Sequence, residues 1–143
     1  MTGRLLGLDP GERRIGIALS DPAQILAQPL TTLTRRAGKR FPMRRLIALV
    51  QEREVAGIVV GLPLAADGSE GGAARDARAL AQDVAHHAGV PVDLWDERFT
   101  TARALRAVRE MGGTSKGRRE EIDALAATLL LQHYLDTRRG SAQ

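Results

Sequence analysis

The stretch RLLGLDPGERRIGIALSD, residues 4 to 21, decides how the rest of the chain is read. Residues 4 to 8 are an apolar run with the look of a strand, and Asp9 ends it. Pro10-Gly11 then reads as a type II turn, because proline presets the first central φ and glycine accepts the positive one. Beyond it Ile15, Ile17 and Leu19 alternate with Gly16, Ala18 and Ser20, the period of two that marks a second strand hairpinned to the first. An aspartate in this place either caps its own turn or stands as a functional carboxylate at a strand end, and the stretch alone leaves both readings open.

Outward from the hairpin, QILAQPLTTLT (24–34) predicts a third strand, and Pro29, which cannot donate to a ladder, puts that strand at a sheet edge. Met43, Leu46, Ile47 and Val50 give helical spacing from Pro42 to Glu54, and VAGIVVG (55–61) is a continuous apolar run suited to a parallel strand covered on both faces. Ala77, Leu80, Ala81, Val84 and Ala88 mark a second helix with Gly89 as its stop, and PVDLW (91–95) a fifth strand. TTARALRAVREMGG (100–113) predicts a third helix with Leu105, Val108 and Met111 inward, and GGTSKGRR (112–119) a mobile basic loop. A last helix is expected from about Glu120 to Leu135 on Ile122, Leu125, Ala126, Leu129 and His133. The order β-β-β-α-β-α-β-α-α is that of a hairpin meander continued by right-handed crossovers, in one α/β domain over residues 1–136 with a frayed tail at 137–143.

Composition narrows the chemistry. There are 21 basic and 17 acidic residues, a net charge of +4, which favours an anionic partner. No acid lies between Asp21 and Glu52, where Arg35, Arg36, Lys39, Arg40, Arg44 and Arg45 form a basic island that is either a phosphate-contact surface or a solvated face. The absence of cysteine excludes disulfides, thiolate nucleophiles and cysteine zinc sites. No apolar run reaches the ~18 residues of a membrane span, so a soluble cytoplasmic protein is expected. Four aromatic residues, Phe41, Trp95, Phe99 and Tyr134, are too few to make base stacking the main binding mode.

Two further acids join Asp9. Glu97 comes directly after the fifth strand in LWDERFTT, and if that strand runs parallel to the first, both acids end at one sheet edge. Asp96 would then point away from Glu97, Arg98 could neutralise either, and Thr100 or Thr101 could cap the next helix. Asp123 has Ala126, Ala127 and Leu130 at i+3, i+4 and i+7, an apolar small-residue helix face on which a carboxylate needs a cation; the alternative is an acid complementing a helix dipole. Three carboxylates without a paired-histidine motif point to hard oxygen ligation of Mg²⁺ or Mn²⁺, which supports phosphodiester displacement. No P-loop, GxGxxG or nucleophile elbow is present, and His86-His87 reads as a solvated face.

LDPGERRIGIALSD, IVVGLPLAADGS, DERFTT and IDALAATLLLQHYLD resemble, in order and spacing, the motifs of the YqgF family of Holliday junction resolvase-like proteins and pre-16S rRNA nucleases. The resemblance implies a ribonuclease H-like three-layer α/β/α fold with a five-stranded mixed sheet of order 3-2-1-4-5, strand 2 antiparallel. It also implies an acidic triad, carried over onto Asp9, Glu97 and Asp123 as the catalytic, metal-holding residues. Gly61 and Pro63 would shape the loop after the fourth strand, and Lys116 would lie in the basic loop. With Gly11 letting a phosphate approach the first turn, the candidate nucleic-acid contacts are Arg13, Arg14, Arg98, Lys116, Arg118 and Arg119. The expected function is a metal-dependent nuclease maturing the 5′ end of 16S rRNA, with a ribosomal precursor particle as partner. The alternatives are a resolvase-like DNA nuclease, for which symmetry asks a homodimer, a non-catalytic RNA-binding assembly factor, and a nucleotide phosphatase related to actin-like ATPases.

Overall fold

The structure is a computed structural model that describes residues 2–35, 40–98, 100, 104–105 and 116–141, the side chains of Lys116 and Ser141 excepted. The first apolar run becomes β1 (Arg4–Pro10) and the alternating run becomes β2 (Arg14–Ser20), paired antiparallel with Asp9 opposite Gly16 and Pro10 opposite Ile15. β1 thus carries one residue past the aspartate. Positive φ among the described glycines occurs at Gly3, Gly68 and Gly89, so Gly11 does not make the type II turn its sequence suggests. The connection is the three-residue segment 11–13 instead. Arg35 pins it from the end of β3 (Ala27–Thr34), its Nε donating to the Gly11 carbonyl at 3.0 Å and its backbone N–H to that of Arg13 at 2.8 Å.

β3 pairs only with β2 and is the sheet edge that Pro29 required. The ladder slips between Ile17 and Ala18, where Thr31 and then Pro29 stand opposite, so Leu30 is the bulged residue and the proline sits directly beside it. α1 (Met43–Glu52) leads to β4 (Val55–Leu62), parallel to β1; α2 (Gly72–Ala88) ends on Gly89 at φ +69°, the left-handed C-cap that glycine supplies without strain, and leads to β5 (Val92–Asp96), parallel to β4. Strand order is β3-β2-β1-β4-β5.

The last helix, α3, runs from Lys116 to Ser141. It begins four residues before the expected start, so Lys116, Gly117, Arg118 and Arg119 are helical rather than part of a loop, and it continues through most of the stretch expected to fray. Its buried face also differs from the expected one. Leu125 is exposed and His133 only half-buried, whereas Ala126, Ala127, Leu130, Leu131, Tyr134 and Leu135 are buried. The expected third helix at 100–113 and the segment 112–115 lie outside the described residues except for Thr100, Ala104 and Leu105, as do Arg36, Lys39 and Phe99.

Strand alternation sorts the sheet into two faces. Leu6, Leu8, Ile15, Ile17, Leu19, Ile58 and Val60 face α1 and α2, packing on Leu46, Val50, Leu80 and Val84. Leu5, Ala18 and Val59 face α3, packing on Ala127, Leu131, Tyr134 and Leu135. The α3 face is poor in side chains. A Cβ at Gly7 would meet Leu131 Cβ at 2.9 Å, and one at Gly16 would lie 1.9 Å from the Asp123 carbonyl oxygen. At these two positions α3 comes down onto the strand backbone, and only glycine fits beneath it.

A carboxylate site at the C-terminal edge of the sheet

β1, β4 and β5 are parallel, so their C-terminal ends share one edge. Asp9 is the penultimate residue of β1 and Glu97 the first residue after β5. Cross-strand register sets their face. Gly16 is opposite Asp9, Gly61 is opposite Trp95, and Gly61 lies one step beyond the Leu8–Val60 pair, so Gly16, Asp9, Gly61 and Trp95 form one row on the α3 side. A Cβ on Gly61 would meet Glu97 Oε2 and Leu130 Cδ2, each at 2.8 Å, with the Leu8 carbonyl at 3.6 Å. The Glu97 carboxylate therefore lies over β4, beside the end of β1 that carries Asp9. Asp123 reaches the same row from above, its backbone seated on Gly16.

All three acids are buried, at 2 %, 1 % and 1 % exposure for Asp9, Glu97 and Asp123. Both Asp9 carboxylate oxygens and Glu97 Oε2 are shielded from solvent. The Glu97 backbone is fixed on both sides: its N–H donates to the Leu62 carbonyl at 3.4 Å, and its carbonyl accepts from Thr100 N–H at 3.1 Å and Thr100 Oγ1 at 2.9 Å. Thr100 is thus a clamp on Glu97. Asp123 Oδ2 accepts a hydrogen bond from Arg14 Nε at 2.6 Å, an ion pair of which the arginine is 15 % exposed.

The arrangement brings the acids to one edge without making a closed cage: among the described residues no group of three or more His, Cys, Asp or Glu side chains is placed to hold one ion. The donor set still fits a hard divalent cation. Every candidate ligand is a carboxylate oxygen, the donor type that Mg²⁺ and Mn²⁺ take.

The candidate basic contacts separate into groups. Arg13 is exposed on the 11–13 connection and Arg14 pairs with Asp123. Arg98 is committed to Asp96, its Nε and Nη2 2.9 and 2.8 Å from Asp96 Oδ2, and that pairing raises the guanidinium's pKa. Arg118 is exposed on the first turn of α3, Arg119 is half-buried with Nε shielded, and the Lys116 side chain lies outside the described residues. Gly11 and Pro63 are half-buried at the same edge, and Gly61 belongs to β4 itself rather than to the loop after it. Sequence reasoning did not single out Gly16, the pinning role of Arg35 or the Arg14–Asp123 pair. The signal for Gly16 was present in the small residues at 16, 18 and 20, which mark a strand face that a helix approaches closely.

Fold and site together define a ribonuclease H-like α/β protein with an acidic centre at the sheet edge. Two structures of Thermus thermophilus RuvC, one in complex with a Holliday junction substrate, share this fold with TM-scores of 0.54 and 0.53 at 20 % and 16 % identity, each covering 96 % of both chains. The chain belongs to the RuvX family, also called YqgF and described as Holliday junction resolvase, whose model matches residues 3–137. Similar proteins from Koribacter versatilis (44 % identity over 96 % of this chain and 89 % of the relative) and an Anaeromyxobacter species (45 %, 96 % and 99 %) carry the name "Putative pre-16S rRNA nuclease". So does one from Mycobacterium ulcerans (48 %, 98 % and 82 %).

Proposed function

We propose that this protein is a divalent-metal-dependent nuclease that hydrolyses phosphodiester bonds in nucleic acid and that it acts in the cytoplasm on the 5′ side of pre-16S rRNA, within a ribosomal precursor particle. The observation that supports the reading is the burial of Asp9 at the end of β1, Glu97 directly after β5 and Asp123 on the helix seated over Gly16, in a chain of net charge +4. Asp9 and Glu97, held by the β1 end and the Thr100 clamp, with Asp123 on α3, would hold Mg²⁺ or Mn²⁺. When bound, such an ion activates water and stabilises the leaving oxygen. The chain's own part is to fix the carboxylates on a rigid sheet and to offer Arg13 and Arg118, both exposed, to backbone phosphates. Among the described residues no helix is long and apolar enough to cross a membrane.

The family's description favours a second substrate, a four-way DNA junction, whose paired symmetric cuts would require a homodimer. One experiment separates the readings: incubate precursor rRNA and a synthetic four-way junction with the protein, with and without Mg²⁺ or Mn²⁺, beside Asp9→Asn. Metal-dependent cleavage of the RNA, lost by at least a hundredfold in Asp9→Asn, is expected. Equal cleavage by Asp9→Asn would sink the acidic-centre reading. Salt-sensitive binding without any product would instead identify a non-catalytic assembly factor.

A further inference from the structure

We infer that Arg14 is a built-in counter-cation that competes with the metal for Asp123, so that metal loading releases its guanidinium to a phosphate of the bound nucleic acid. The inference rests on the metal-dependent reading above and names a regulation of that same site.

Its basis is the placement of Arg14. Period-two alternation from Gly16 puts Arg14 on the α3 side of β2, the side that carries Asp9. Its Nε donates to Asp123 Oδ2 at 2.6 Å, with the carboxylate buried and the arginine reaching the rim at 15 % exposure. A buried aspartate on an alanine face requires positive charge while no metal is bound, and Arg14 supplies it. The same pairing turns Oδ2 toward a cation that the site must give up. The bond takes Oδ2 alone, so the competition is for that oxygen: a divalent ion held on Oδ2 would repel the guanidinium at the same atom.

The released group would not be lost to the site. Arg14 begins β2, and β2 is fixed at that end by pairing with Thr34 of β3, so only the side chain is free to move. A planar guanidinium at the rim of an acidic metal centre is suited to the paired oxygens of a phosphodiester. The same residue would then neutralise Asp123 before loading and the substrate after it.

The test uses the intact protein and reads metal binding rather than turnover. Arginine side-chain N–H resonances and backbone amides of ¹⁵N-labelled protein are followed through a Mg²⁺ titration, the Arg14 Nε–H being assigned by its loss in Arg14→Lys. Its protection from solvent exchange is expected to fall with the same midpoint at which the Gly16 and Gly61 amides shift. Calorimetry is expected to show Arg14→Gln binding Mg²⁺ about tenfold tighter than the parent, equivalent to about 1.4 kcal/mol. Arg14→Lys, which restores a cation, is expected to return toward the parent affinity. If the amides shift while the Arg14 signal keeps its protection, or if Arg14→Gln binds no tighter, the pair is structural and the inference is overturned. If Mg²⁺ shifts neither amide, the metal-site reading fails and this inference falls with it. Should Arg14→Gln not fold, the titration of the parent protein decides.

Discussion

At position 16 a hydrogen stands where any side chain would collide with the Asp123 carbonyl oxygen, and this one contact ties the hairpin to the helix that carries the third acid. Gly16→Ala must lift α3 off the sheet, because the obstructing atoms are backbone. A loss of about 3 kcal/mol, at the upper end for overpacking, is expected in urea denaturation. Gly117→Ala is the control: it lies on the same helix, its new methyl would have nothing within 4 Å, and it should raise stability by about 1 kcal/mol. Equal effects of the two would mean that α3 does not rest on Gly16. Tyr134 offers a second residue-scale measurement, since it is the chain's single tyrosine. Burial, and then its hydrogen bond to Asp93 Oδ2 at 2.9 Å, hold its hydroxyl pKa above the ordinary phenol value, with Arg138 pulling the other way. A group whose folded pKa is raised contributes stability that is intact below its unfolded pKa near 10 and is lost as pH rises through the folded value. Tyrosinate absorbance at 295 nm should accordingly appear at higher pH in the native protein than after denaturation. Coincident titrations would show that the Asp93 bond does not form.

Among the elements, α3 does most of the joining, and its C-terminal end is tied more firmly than its composition suggests. Arg138 Nη1 donates to Tyr134 Oη at 2.9 Å, Arg139 Nη1 donates to the Ile25 carbonyl at 2.9 Å, and Gln132 bonds both Ile25 and Ala27 at 2.8 Å. Deleting residues 138–143 removes the two arginine contacts and should cost about 1–3 kcal/mol, read from the denaturation midpoint. An unchanged midpoint would restore a dispensable tail. The contrast with the sequence is instructive. Strands were legible because their signals are local: β2 through its alternation, β3 through Pro29, and the end of α2 through Gly89. The positions of the three acids were legible, Asp9 and Glu97 at strand ends and Asp123 on an apolar helix face, because each sits beside a strong local marker. The extent and facing of α3 were not, since a basic, glycine-containing start and a polar end look like coil, and its buried stripe is set by where the sheet offers glycine. Gly11 failed for a related reason: Asp-Pro-Gly specifies a turn only until Arg35, 24 residues away, fixes another connection.

For the whole molecule, topology decides where charge accumulates. β3 runs parallel to β1 because each is antiparallel to β2, so β3 also finishes at the edge that carries the acids. α1 must return from that edge to the start of β4, which places exposed Arg44 and Arg45, in its first turn, beside the same edge but on the layer opposite α3. Arg44 and Arg45 thus flank the acids from across the sheet, where a nucleic acid bound over the acids would continue. Binding of precursor RNA to the Arg44→Ala/Arg45→Ala double variant should be weaker across all sequences. The slope of log K against log salt should fall in magnitude by about 0.7 to 1.8, from one to two lost phosphate contacts at 0.7–0.9 each. Affinity that drops without a change in slope would mean that the arginines act through the fold of α1. An unchanged affinity and slope would leave them facing water, and the path of the nucleic acid would then run from Arg13 along the first turn of α3 instead.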